Sequence, residues 1–119
     1  MGTFKDLRVW SEAVELAANI YHITRKPPFS KDYGLSNQIQ RSGVSISSNI
    51  AEGEERDSKK DTIRYLNIAK GSSAEVTTQL LIAYKIGYIS DSTFNKLEDQ
   101  AEKIRAQIKN LIKSKKKRG

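Results

Sequence analysis

The sequence predicts an all-α protein, an antiparallel up-down-up-down four-helix bundle. Three observations point there. Apolar residues recur every three or four positions through four separate segments. The breaks between those segments carry Pro, Ser, Asp or Gly where helices start and stop. No stretch alternates β-branched and polar residues as a half-buried strand would. The connections are short, which makes consecutive helices antiparallel neighbours. A chain of 119 residues is the size of one domain with one core. We divide it into a bundle over residues 1–112 and a basic C-terminal tail over 113–119.

The first segment runs from about Thr3 to Thr24. It sets Leu7, Trp10, Val14, Ala17 and Tyr21 on one face, with Ala13, Leu16, Ile20 and Ile23 beside them. Thr3 and Asp6 have the spacing of an N-cap and its reciprocal carboxylate. The sequence KPPF then stops the helix, because proline donates no backbone hydrogen bond and pushes the residue before it out of the helical region. Ser30 is the expected cap of the second helix, which carries Leu35, Ile39, Gly43, Ile46, Ile50 and Gly53 on one side and ends near Glu55. Ser58 and Asp61 open the third, whose core face reads Ile63, Leu66, Ser73, Val76, Leu80 and Tyr84 and whose end is marked by Gly87. The fourth starts near Ser90 to Ser92 and spaces Phe94, Leu97, Ala101, Ile104, Ile108 and Leu111 as a heptad seam, the geometry of shallow left-handed crossings.

The stretch SISSNIAEGEER, residues 45–56, is poor in bulky side chains although it lies in the second helix. At about 100° per residue, Gln38, Arg41, Ser45, Ser48, Asn49 and Glu52 form a polar stripe roughly a third of a turn from the apolar face. We expect Gln38, Arg41, Ser45, Asn49 and Glu52 to form a structural polar network or interface with Ser72 and Glu75 of the third helix. Gly43 and Gly53 each cost about 1 kcal/mol relative to Ala within a helix. That cost is sensible where another backbone comes close or a helix must end, and the second use is assigned to Gly53. A further mixed face on the third helix, Tyr65, Ile68, Ser72, Glu75, Gln79, Ile82 and Ile86, suits a subunit interface.

Charge is uneven. Residues 96–119 hold six of the seven net positive charges. Lys109, Lys113, Lys115, Lys116, Lys117 and Arg118 are the candidate contacts to nucleic-acid phosphates, and a solvated tail is the plainer reading of the same run. The chain has no Cys and one His, His22, which removes disulfides, thiolate metal sites and Cys-His nucleophile pairs. No Glu-x-x-His pair, P-loop or glycine-rich dinucleotide turn occurs. We expect no enzyme activity, no cofactor and no metal. No apolar run reaches the roughly 20 residues of a membrane helix and the N-terminus lacks signal-peptide order, so a cytoplasmic protein without membrane contact is expected.

Five motifs stand in fixed order, FKDLRVW, YGLSNQIQRS, SISSNIAEG, IAKGSSAE and IGYI, within a match that runs over roughly residues 4–112. In these the chain resembles the bacterial four-helix-bundle family of 23S rRNA-intervening-sequence proteins, which is similar to the accessory variability protein of diversity-generating retroelements. The family pattern falls on Trp10, Tyr21, Leu35, Gln38, Arg41, Ser45, Asn49, Glu52, Gly53, Gly71, Ser72 and Glu75. It departs at KPPFSKDYGL, where Asp32 stands in a shortened first loop. The resemblance implies a homo-oligomer, a pentamer in the related retroelement protein, with no catalytic residues. The function expected is a nucleic-acid-associated adaptor contacting RNA or DNA backbones, with a protein-interaction scaffold as the alternative.

Overall fold

The computed structural model describes residues 2–117. Four helices, α1 (Arg8–Thr24), α2 (Tyr33–Glu54), α3 (Lys59–Lys85) and α4 (Asp91–Lys117), pack into a rod of 49 × 21 × 20 Å. Short 3-10 turns precede α1 and α2, and no strand occurs among the described residues. Contacts along each neighbouring pair fix the topology. Thr24 meets Gln40 while Ala17 and Ile20 pass Gly43; Ser45 meets Ser72 while Gly53 meets Thr62. Thr77 meets Glu102 while Lys59 meets Lys116; Asn19 meets Gln100 while Glu12 meets Gln107. Rising numbers on one helix pair with falling numbers on the next in every case, so each helix is antiparallel to both neighbours.

The core is an apolar column of Ala13, Leu16, Ile20, Ile39, Ile46, Ile50, Leu66, Val76, Leu80, Leu97, Ile104 and Ile108. On α1 the buried face is Val9, Ala13, Leu16 and Ile20, whereas Val14 and Tyr21 are exposed. The helix is apolar around much of its circumference, so periodicity did not choose the side; the position of α1 between α2 and α4 does. On α4 the seam holds from Leu97 to Ile108 and then passes from Leu111 to Ile112, which is the more buried. A straight helix drifts in this way against a strict 3.5-residue repeat.

The ends differ in detail from the expectations. Thr3 and Asp6 do form a capping box, but on the 3-10 turn Phe4–Asp6, and extended Leu7 separates that turn from α1. Asp32, not Ser30, caps α2: its carboxylate accepts the Leu35 N–H at 3.0 Å. The same carboxylate accepts the Tyr88 hydroxyl at 2.9 Å, and the Phe29 and Tyr88 rings lie 5.2 Å apart, so the α1–α2 and α3–α4 connections are clasped together. Ser58 caps α3 through the Asp61 N–H. Gly87, at φ +84°, closes that helix with Gly87 N–H to Tyr84 O and Tyr88 N–H to Ala83 O, a Schellman pair.

Gly53 lies inside α2. A Cβ there would meet Thr62 O and Tyr65 Cβ at 3.2 Å, so its role is close approach to α3 and not termination. Gly43 performs the same service toward α1, where a Cβ would stand 2.8 Å from Ile20 Cδ1. The buried serines beside Gly43, Ser42 and Ser47, are small enough for close packing and have internal partners. Ser42 Oγ donates to Gln38 O and Ser47 Oγ to Val44 O. Buried hydroxyls satisfied in this way avoid the penalty of an unpaired polar group.

Candidate functional site

Two surfaces flank α3. The first is the groove between α2 and α3. Here Ser45 Oγ and Ser72 Oγ share a hydrogen bond of 2.8 Å, and Asn49 Nδ2 donates to Ser45 O and Ser45 Oγ at 2.8 and 2.9 Å. These three residues form the wall beneath the groove. Gln38, Arg41 and Glu75 line its rim together with Gln79, and all but Gln79 are exposed. Neither Arg41 nor Glu75 has an ion-pair partner among the described residues, so opposite charges face solvent side by side. Glu52 stands apart from this group, exposed and paired with Arg56, four residues on and just past the end of α2. The polar stripe therefore splits into Ser45, Asn49 and Ser72, which join the helices, and Gln38, Arg41 and Glu75, which face outward.

Ile82, 45% exposed, borders the groove beside Gln38, Glu75 and Gln79. Ile68 on α3 and Ile86 just after it, at seven-residue spacing from Glu75 and Gln79, are 41% and 52% exposed. Gly71 sits among them with nothing within 4 Å of where a Cβ would be. Gln79 is the residue the site prediction missed: its Oε1 is buried without a hydrogen-bond donor. Its presence on the mixed face was legible from spacing, but its burial was not.

The second surface belongs to α4. The helix runs unbroken to Lys117, so the boundary drawn at 112/113 falls inside it and residues 113–117 are its last turn and a half. Lys115 is not a free tail residue. Its ammonium lies 3.1 Å from Glu54 at the end of α2, with both side chains mostly covered. Lys59 Nζ approaches the Lys116 carbonyl at 3.4 Å, which pins the same turn to the start of α3. Lys109, Lys113, Lys116 and Lys117 are exposed and have no ion-pair partner among the described residues. Arg118 lies outside the described residues. Further up α4, Arg105 and Thr77 both donate to Glu102, and chiefly the Arg105 hydrogen bond holds that carboxyl below its usual range.

Among the described residues no three His, Cys, Asp or Glu side chains are grouped to hold a metal ion, and no helix is long and apolar enough to cross a membrane. The fold and these surfaces define the class: a helical bundle whose chemistry is displayed on its outer faces. The chain belongs to the 23S rRNA-intervening sequence protein family, whose model matches residues 5–110. It is similar to a crystal structure of a protein of unknown function from the S23 ribosomal protein family of Bacteroides thetaiotaomicron. That similarity has a TM-score of 0.82 and 30% sequence identity, covering 88% of this chain and 98% of that one. No curated protein matches the chain.

Proposed function

We propose that the protein is a non-catalytic, homo-oligomeric adaptor that holds nucleic acid by its phosphate backbone. The observation that carries this reading is the charge of α4. Beyond Glu102 the helix has Lys103, Arg105, Lys109, Lys113, Lys115, Lys116 and Lys117 and no carboxylate. Cations in the last turn also complement the helix dipole, but that effect fades within about one turn and does not account for Lys109. The Lys115–Glu54 and Lys59–Lys116 contacts hold the charged end in place before any ligand arrives. A fixed surface loses less entropy on binding than a frayed tail.

Self-association is supported by the α2–α3 groove. Exposed Ile82 at its border and the opposite charges of Arg41 and Glu75 are self-complementary, and five copies is the number the family resemblance implies. Assembly would multiply the α4 charge into one broad surface and raise avidity without new contacts. Binding of this kind is backbone-directed and weakly specific. The test is a gel-shift titration of RNA and DNA across a salt series, with mass by light scattering alongside. Affinity falling steeply with salt, in an oligomer, supports the proposal. Absence of binding even near 50 mM salt overturns it. That result would favour a protein scaffold, the reading the groove supports by itself.

A further inference from the structure

We infer that the phosphate-binding surface is a two-helix seam between α3 and α4, to which Lys70 of α3 contributes a binding residue opposite Lys109. The inference rests on the phosphate-binding reading above and adds a residue and a helix to it. Register places the pair. Thr77 bonds Glu102 at 3.1 Å, and Lys59 reaches the Lys116 carbonyl at 3.4 Å. These two anchors bracket the lower half of the antiparallel α3–α4 contact. Lys70 lies two turns before Thr77 and Lys109 two turns after Glu102, so a rise of about 10 Å from the same anchor brings both to one level.

The sign of the seam is uniform. Besides Lys70 and Lys109 it carries Lys113 and Lys116, a track of about 10 Å along α4. Its carboxylate, Glu102, is already engaged by Arg105 and Thr77. The acids on this part of α3 are turned away. Asp61, nine residues before Lys70, is rotated by about 180°, and Glu75, five residues after it, by about 140°. Asp61 pairs with Arg64, and Glu75 lines the groove on the α2 side. Lys70 itself is partly covered and has no ion-pair partner among the described residues.

The chemistry favours a phosphodiester strand over an anionic membrane. An interfacial helix presents Trp, Phe or Leu between its cations. The exposed residues interleaved here are Asn67 and Ala106. An amide among the cations suits phosphate and sugar oxygens, and the short alanine leaves room for a strand to lie close.

Fluorescence anisotropy with labelled RNA and DNA, between about 50 and 200 mM salt, tests the seam. Lys70→Gln should make the slope of log affinity against log salt shallower by about 0.9. Lys70→Glu should weaken binding to every sequence by roughly tenfold. Lys26→Gln, in the exposed α1–α2 connection at the other end of the rod, should leave both unchanged. If the Lys70 variants match Lys26→Gln while removal of residues 113–119 still weakens binding, the seam is wrong and the α4 end acts by itself. If wild-type protein binds no nucleic acid, the proposed function fails and the seam with it. Loss confined to anionic vesicles, with nucleic-acid binding intact, would also overturn it. Should Lys70→Glu lose helicity by circular dichroism, the Lys70→Gln slope decides.

Discussion

The two flanks of α3 are built on opposite principles. Toward α2, the helices approach closely over Gly53, and Ser45, Asn49 and Ser72 close a small hydrogen-bonded unit between them. Above that unit the groove is electrically mixed, with Arg41 and Glu75 side by side. Toward α4, the helices share the apolar core that holds Leu66, Val76, Leu80, Leu97, Ile104 and Ile108, and the rim is a run of cations. A close-packed polar flank with balanced charge suits a protein surface, whereas a single-sign rim over an apolar seam suits a polyanion. In the function we propose, one helix separates assembly from binding.

The largest expected effect lies on the apolar flank. Leu97→Ala should cost about 2 to 5 kcal/mol in chemical denaturation, because a fully packed leucine leaves a cavity that neighbours refill only in part. Asn49→Leu probes the polar flank and should cost less, about 1 kcal/mol, since it removes the amide hydrogen bonds to Ser45 while Ser45 keeps Ser72. An Asn49→Leu loss equal to that of Leu97→Ala would mean that both flanks are load-carrying core and would break the contrast. Ile82→Glu should leave helicity nearly unchanged, since Ile82 is exposed within one chain, yet reduce the mass seen by light scattering. Removing residues 113–119 should flatten the salt dependence of nucleic-acid binding without dissociating the oligomer. If it dissociates the oligomer, binding and assembly share one surface.

The smallest effect concerns the clasp at the other end. The Leu35 N–H, and after it the Tyr88 hydroxyl, hold the Asp32 carboxyl below its ordinary range. A folded pKa below the unfolded one, about 3.9, means that the contribution is complete above that value and is lost as pH falls through the folded pKa. Asp32→Asn should therefore lower Tm near neutrality by the charge-dependent part of this contribution, since Asn still caps a helix, and flatten the acid limb so that variant and wild type converge at low pH.

Much of this architecture is local information. The helix ends at Ser58 and Gly87, the Leu66, Ser73, Val76 and Leu80 part of the α3 core face and the α4 seam from Leu97 to Ile108 follow from caps and periodicity, because a side chain's direction on a helix depends only on its place in the chain. The sequence also determined where the cations stand along α4 and that Cys chemistry is absent. Tertiary structure decided what each local feature is used for. Asp32, which caps α2 locally at Leu35, became a clasp between two connections because Tyr88, 56 residues away, also donates to its carboxylate. Gly53 became a contact because Thr62 and Tyr65 of α3 come within reach of its Cα, and Lys115 was withdrawn from the free cations by Glu54. Each of these outcomes depends on a partner distant in sequence, and composition and spacing carry no distance between helices until the helices pack.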